Sequence, residues 1–352
     1  MAPVSLDLIK TELTPSKKLR DTNKGSNEIY VVNHFDSPNI MLEIGRLREE
    51  AFRDSGGGSG LAVDIDEFDT MENPYQQLIV WDPDSERIIG GYRFILGGDI
   101  KLNENGQPHL ATTHMFHFSD KFIKEYLPYT IELGRSFVSP EYQSSKAGAK
   151  AIFALDNLWD GLGALAIQRP NMKYFFGKMT MYPEYNRQAR DLIQHFLFKH
   201  FEDKDKLVTP MEPLKIETDK AYMDSILTET EFKNDYKLLN AEVRRLGVNI
   251  PPLVNSYMSL SPTMKMFGGG INHEFSEAEE TCILIAFDEI HEAKKARHID
   301  SFIDEKVRSI TERFPLFVEN SGEDLRMWLA QKREQVQAKL AERQTARKVR
   351  KK

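Results

Sequence analysis

Apolar residues recur along this chain with two alternating periods. Ile40, Ile44, Leu47 and Ala51 form one stripe at helical spacing, which predicts an amphipathic helix over 40–52. Gln77 to Trp81 and Ile88 to Leu96 are β-rich apolar runs joined by Asp82-Pro83-Asp84-Ser85, which reads as a strand hairpin. A third strand covers 132–138. Ile152, Leu155, Trp159 and Leu162 predict a helix over 150–166. A strand over 174–181 and a helix over 186–201 follow. Residues 210–240 read as mixed connection and short helix. Pro251 to Leu260 and Glu280 to Phe287 suggest two last strands around a Gly268-Gly269-Gly270 loop, and helix resumes from Ala293 with a break near Pro315. Ser55 to Gly60, with four glycines and two serines in six residues, reads as a mobile loop.

This order predicts an α/β fold with a mixed central sheet flanked by helices and a helical C-terminal extension. The expected organisation is a polar extension over 1–27, one domain over 28–290 and a helical tail over 291–352. Neither a P-loop nor a Gly-x-Gly-x-x-Gly dinucleotide signature is present.

Composition narrows the class. Of 352 residues, 40% are hydrophobic and 29% charged, which suits a globular protein. No apolar run is long enough for a membrane span, and the N-terminus lacks a signal-peptide pattern, so a cytoplasmic location is expected. The single cysteine, Cys282, sits in an apolar strand and reads as a core residue. Net charge is −7, yet Arg326 to Lys352 carries ten basic residues against Glu334 and Glu342. Met327, Trp328, Leu329, Val336 and Leu340 lie among them. Such a tail suits a peripheral contact with an anionic membrane surface or docking of an acidic protein; nucleic acid is the weaker expectation.

Candidate chemistry lies where charge interrupts apolar segments. Arg48 and Phe52 stand one helical turn apart. Asp66 and Asp69 follow the glycine loop, Arg93 interrupts an apolar strand, and Glu132 and Arg135 occupy the third strand. Buried charges need partners, so three arginines and three acids suggest one network. Regular strand geometry would aim Glu132 and Arg135 at opposite faces; a bulge at Gly134 would re-aim one of them and splay the strand from 174–181. The acidic run 64–72 fits no standard metal loop, so no metal is expected. His200 and Asp205 match the His-x4-Asp spacing of glycerolipid O-acyltransferases without that family's surroundings.

These spacings resemble the acyl-homoserine-lactone synthases and the related N-acyl amino acid synthases of the GNAT superfamily. Their pattern is Arg and Phe four apart, Asp-x-x-Asp, an Arg in a Gly-rich strand, then Glu-x-x-Arg. The hemolysin-like branch that makes ornithine and glycine lipids is most similar, through Glu132 to Gln143, Leu155 to Ala164, Phe176 to Tyr182 and Pro251-Pro252-Leu253. The resemblance implies transfer of a 3-hydroxy fatty acyl group from acyl carrier protein to the amine of glycine. It implies no permanently bound cofactor. Ornithine or another small amino acid is the alternative acceptor. A non-catalytic, hemolysin-like lipid-binding role is the alternative of another class.

On that reading, Glu132 is the candidate base, with backbone N–H groups near Phe137 or Val138 for the oxyanion. Tyr182 or Tyr185 is the candidate thiolate acid. Arg48, Arg93 or Arg135 would hold the acceptor carboxylate, beside Phe52, Asp66 and Asp69. Gln143-Ser144-Ser145-Lys146-Ala147-Gly148 stands where the superfamily has its phosphate loop. It departs from the usual Gln/Arg-x-x-Gly-x-Gly/Ala form, which favours the single phosphate of a carrier-protein arm over coenzyme A.

Overall fold

The computed structural model describes residues 2–143, 149–169, 171–303 and 305. One compact unit spans Met1–Ile299; the second, Asp300–Lys352, lies almost wholly outside the described residues, and the basic tail lies there entirely.

The first unit is built on one mixed sheet of eight strands. In chain order these are β1 (Lys18–Asp21), β2 (Glu28–Val32), β3 (Gln76–Asp82), β4 (Arg87–Leu96), β6 (Thr130–Val138), β7 (Tyr174–Met181), β9 (Lys265–Asn272) and β10 (Ala278–Ala286). Their spatial order is β1-β2-β3-β4-β6-β7-β10-β9. Only β6 and β7 run parallel, joined by the long crossover helix α4 (Ala149–Gln168). β5 (Phe116–Phe118) and β8 (Val208–Pro210) pair separately.

Alternation along the strands sorts two covered faces. On one face, helix α2 (Pro38–Asp54) lays Ile40, Ile44, Leu47 and Ala51 against Ile79, Trp81, Ile88 and Phe137. Beside it, Phe116, Phe118 and Phe122 cover Ile95, Phe176, Cys282 and Leu284. The opposite face packs against α4, α5 (Arg187–Phe201) and α8 (Pro252–Met258), with α7 (Phe232–Arg245) behind α5. Cys282 is fully buried, and burial pushes its thiol well up. Among the described residues no helix is long and apolar enough to cross a membrane.

Three expectations change. Residues 1–27 are not merely a polar extension. Leu6–Glu12 is helix α1, burying Ile9, and β1 buries Leu19 at the sheet edge. Pro251 to Leu260 is not strand: Pro252 occupies the first turn of α8, where a missing N–H costs nothing. Gly268-Gly269-Gly270 is not a loop but the middle of β9. Its glycines let another segment cross close over the strand, since a Cβ on Gly269 would lie 2.4 Å from Leu214. The uncertain stretch 210–240 contains α6 (Lys220–Ile226) and the start of α7.

Candidate active site

β6 pairs with β7 only at Thr130, Ile131 and Glu132, although both strands continue. Beyond Glu132 they part, so one edge of β6 has no strand partner. The bulge sits one residue later than expected. Arg93 faces Gly134 and Gly91 faces Phe137, so Arg135 and Ser136 together oppose Tyr92. Arg135 carries the strain with φ 46°, in the left-handed region. A cleft of about 230 Å³ fills the gap, lined by Glu132, Tyr75, Arg93, Arg135, Lys178 and Tyr182 among others. A second cavity of about 260 Å³ adjoins it, sharing Arg93, Ala111, Arg135, Lys178 and Phe275.

Three arginine–aspartate pairs form one network beside the cleft. Arg48, fully buried on α2, donates to Asp69 Oδ2 at 3.0 Å, to the Asp64 carbonyl at 3.2 Å and to the Gln77 side chain. Gln77 in turn donates to Asp69 Oδ1 at 2.9 Å. Asp66 and Asp69 cap the short helix α3 (Glu67–Thr70) reciprocally, each carboxylate accepting from the other's backbone N–H. That cap is the physical reason for the Asp-x-x-Asp spacing. Arg93 Nη1 reaches both Asp66 oxygens at 2.7 Å, and its guanidinium lies 5.1 Å from the Tyr75 ring centre. Arg135 Nε meets Asp64 Oδ2 at 2.9 Å and its guanidinium stacks on Phe275 at 4.5 Å. Phe52 contacts the same ring edge-on at 5.3 Å. Gly45 permits this layout, since a Cβ there would strike Ile65 at 2.7 Å. Burial works to raise the Asp69 carboxyl, but Arg48 and Arg93 outweigh it and hold Asp69 well below the usual range.

Glu132 is treated differently. It is 2% exposed, and both oxygens accept from neutral hydroxyls: Tyr75 Oη on Oε2 and Thr112 Oγ1, at 3.0 Å, on Oε1. Tyr75 Oη accepts the Ala111 N–H at 3.1 Å, which fixes the phenol's orientation. Burial pushes the Glu132 carboxyl up; Tyr75, Lys178, Arg93 and Thr112 oppose this only in part. Lys178 itself pairs with Glu280, which also accepts from Asn272 Nδ2 at 3.2 Å.

The structure thus gathers Glu132, Arg135, Arg93, Asp66, Phe52 and Tyr182 at the cleft and its adjoining cavity. Arg48 and Asp69 belong to the network but line neither cavity, so they are not placed to touch a substrate. Tyr182 lines the cleft, and burial with the nearby Glu280 charge lifts its phenol to about 12. Tyr185 instead donates to the Asn249 carbonyl at 2.8 Å, away from the cleft. Gln143 lines the cleft and donates to the Val138 carbonyl at 2.6 Å. Ser144, Ser145, Lys146 and Gly148 lie outside the described residues. His200 Nε2 donates to Asp235 Oδ2 at 2.8 Å, whereas Asp205 faces Lys121, so the His-x4-Asp pair is not assembled. The glycine loop is tied rather than free: Glu49 accepts from Ser59 N, Ser59 Oγ and Gly60 N. Among the described residues no three His, Cys, Asp or Glu side chains form a metal cage.

Sequence reasoning missed Tyr75, Thr112, Lys178 and Glu280, and left Asp64 outside the network. Lys178 and Glu280 carried the signal used for Arg93, a charge inside an apolar strand. Tyr75 and Thr112 carried none.

Residues 47–152 match the GNAT acetyltransferase domain family. A protein of Phocaeicola vulgatus named glycine N(alpha)-acyltransferase is 64% identical over 303 residues, covering 86% of this chain and 93% of that protein. A protein of Bacteroides thetaiotaomicron with the same name is 64% identical over 302 residues, covering 86% and 90%. Among solved structures, the acyl-homoserine-lactone synthase LasI aligns with 44% of this chain and 72% of its own, at 12% identity and a TM-score of 0.28. The coenzyme A-dependent synthase BjaI aligns with 47% and 71%, at 12% identity and a TM-score of 0.26.

Proposed function

The chain belongs to the glycine N(alpha)-acyltransferase family and is an acyltransferase with a GNAT domain; from that premise we propose that it transfers a 3-hydroxy fatty acyl group from acyl carrier protein to the amine of glycine. The observation that carries the chemistry is Glu132, a buried carboxylate with neutral partners at the point where β6 and β7 part.

Glycine's ammonium must lose a proton before attack. Glu132 takes it, directly or through one water. The amine then attacks the thioester carbonyl in the gap between the strands. The C–N bond forms, the C–S bond breaks, and the intermediate's oxyanion is met by N–H groups on the unpaired edge of β6. Tyr182, which lines the cleft, gives its phenol proton to the departing thiolate and takes back the second proton that the nitrogen sheds as the amide forms. Arg93 and Arg135 hold the acceptor carboxylate. Asp66 and Asp64 hold those guanidinium groups at the cavity lining. The loop from Gln143 to Gly148 takes the arm's phosphate. The basic residues of 326–352 suit docking of the acidic carrier protein or anionic lipid headgroups.

Purified protein incubated with 3-hydroxypalmitoyl carrier protein and a panel of amino acids, read by mass spectrometry, tests this. The expected product is the N-acylglycine. A dominant ornithine or lysine adduct would reassign the acceptor, and no amide with any amine would end the reading.

A further inference from the structure

The cleft crosses the sheet. Neighbouring residues of a strand point to opposite faces, so Arg93 lines it on one side and Tyr92 on the other. On the Arg93 side the walls are ionic: Glu132, Arg135 and Lys178. On the Tyr92 side they are Tyr92, Tyr257, Leu253, Val138 and Ser136. This second wall is apolar except at one spot. The Tyr92 and Tyr257 hydroxyls meet there at 3.4 Å, and Ser136 lines the same cleft.

Both tyrosines are buried, 2% and 6% exposed. A hydroxyl offers one donor and two acceptor sites. A single contact at 3.4 Å is long for an O–H···O bond and leaves most of that capacity unused. Buried hydroxyls in a cleft are costly unless something completes them. Trp159 of α4 packs edge-on against Tyr257 with ring centres 5.8 Å apart, so the pair is held rather than free to swing away. Ser136 belongs to the bulge and lines the same cleft.

We propose that Tyr92, Tyr257 and Ser136 form a hydroxyl-recognition subsite for the acyl donor, selecting a group that carries a hydroxyl close to its thioester carbonyl. This rests on the acyl-transfer reading above and adds the residues that distinguish donors. The zwitterionic acceptor needs the ionic wall, which leaves the tyrosine wall for the donor. A 3-hydroxyl lies two carbons from the carbonyl, so it stays inside the cleft wherever the rest of the chain leaves. An unsubstituted chain would leave the tyrosine hydroxyls dry, with only their long contact to each other, which is how a built polar site rejects an analogue.

The test uses 3-hydroxydecanoyl- and decanoyl-pantetheine as probes. Their Kd values are measured on the wild-type protein and on Tyr257→Phe and Ser136→Ala. The corresponding carrier-protein thioesters are used for glycine acylation rates. The wild type should bind the hydroxylated probe about 10- to 100-fold more tightly, and Tyr257→Phe should cut that ratio about tenfold, with a smaller cut from Ser136→Ala. Binding ratios decide the subsite whether or not glycine is acylated, so failure of the acceptor reading shows up separately in the rates. Equal affinity for both probes in the wild type, binding of neither, or a ratio untouched by both variants would overturn the proposal. So would an equal loss on both donors, which would make the pair structural.

Discussion

The two ends of the ionic wall handle buried charge in opposite ways. At the α2 end, Arg48, Asp69 and Gln77 close on one another, with Arg93 reaching Asp69 at 3.4 Å. At the β6 end, Glu132 has no cation in direct contact and leans on two hydroxyls. Burial acts on both acids in the same direction, yet Asp69 ends far below its ordinary pKa and Glu132 above it. The difference lies in the partners. A carboxylate clamped by guanidinium groups is a fixed anion that shapes the site. One held by neutral donors keeps a pKa that burial has raised, which makes it the better proton acceptor. The family spacing therefore mixes two kinds of residue, those that build the cleft and those that act in it.

The comparison breaks most visibly at Arg48. Arg48→Met leaves Asp69 with Arg93 alone, at 3.4 Å and shared with Asp66, and should cost about 3–5 kcal/mol in urea unfolding. The double variant Arg48→Met/Asp69→Asn should recover part of that, because no lone buried anion remains. Asp69's depressed pKa gives its stabilisation a direction. It is present above the unfolded carboxyl value and fades as pH falls through the folded one, so the wild type's advantage over Arg48→Met should shrink in acid. A wild type and single variant with the same urea midpoint would show that the pair contributes nothing.

A smaller effect sharpens the other end. The Tyr75 hydroxyl favours the ionised form of Glu132. Tyr75→Phe removes that donor, so Glu132 should rise further and the acidic limb of the acylation-rate profile should move up by about one pH unit. A limb that stays put while the rate drops would make Tyr75 a packing residue only.

Much of the site was legible because its chemistry violates local pattern. Arg93 and Glu132 are charges set between apolar neighbours in their strands, and such charges need partners. The sheet's central strands and α2, α4 and α5 followed from period alone. What was not legible depended on approach between distant segments. Glycines 268–270 look like a loop until Leu214 is laid across them. The two prolines at 251 and 252 read as extended chain, although Pro in a first turn starts α8. Thr112 sits in an irregular stretch, and nothing within it announces that its hydroxyl reaches Glu132. The bulge was expected at the glycine, but the strained φ falls on Arg135, whose pairing with Asp64 and stacking on Phe275 hold it there.

The central claim is that Glu132 takes the acceptor's proton. Single-turnover acylation of glycine across pH 5 to 9, in wild type and in the near-isosteric Glu132→Gln, tests it most directly. The wild-type rate should rise with pH through the raised Glu132 pKa, and the variant should lose about 10²- to 10⁴-fold and that acidic limb together. A Glu132→Gln enzyme with the wild-type rate and the same pH dependence would contradict the assignment.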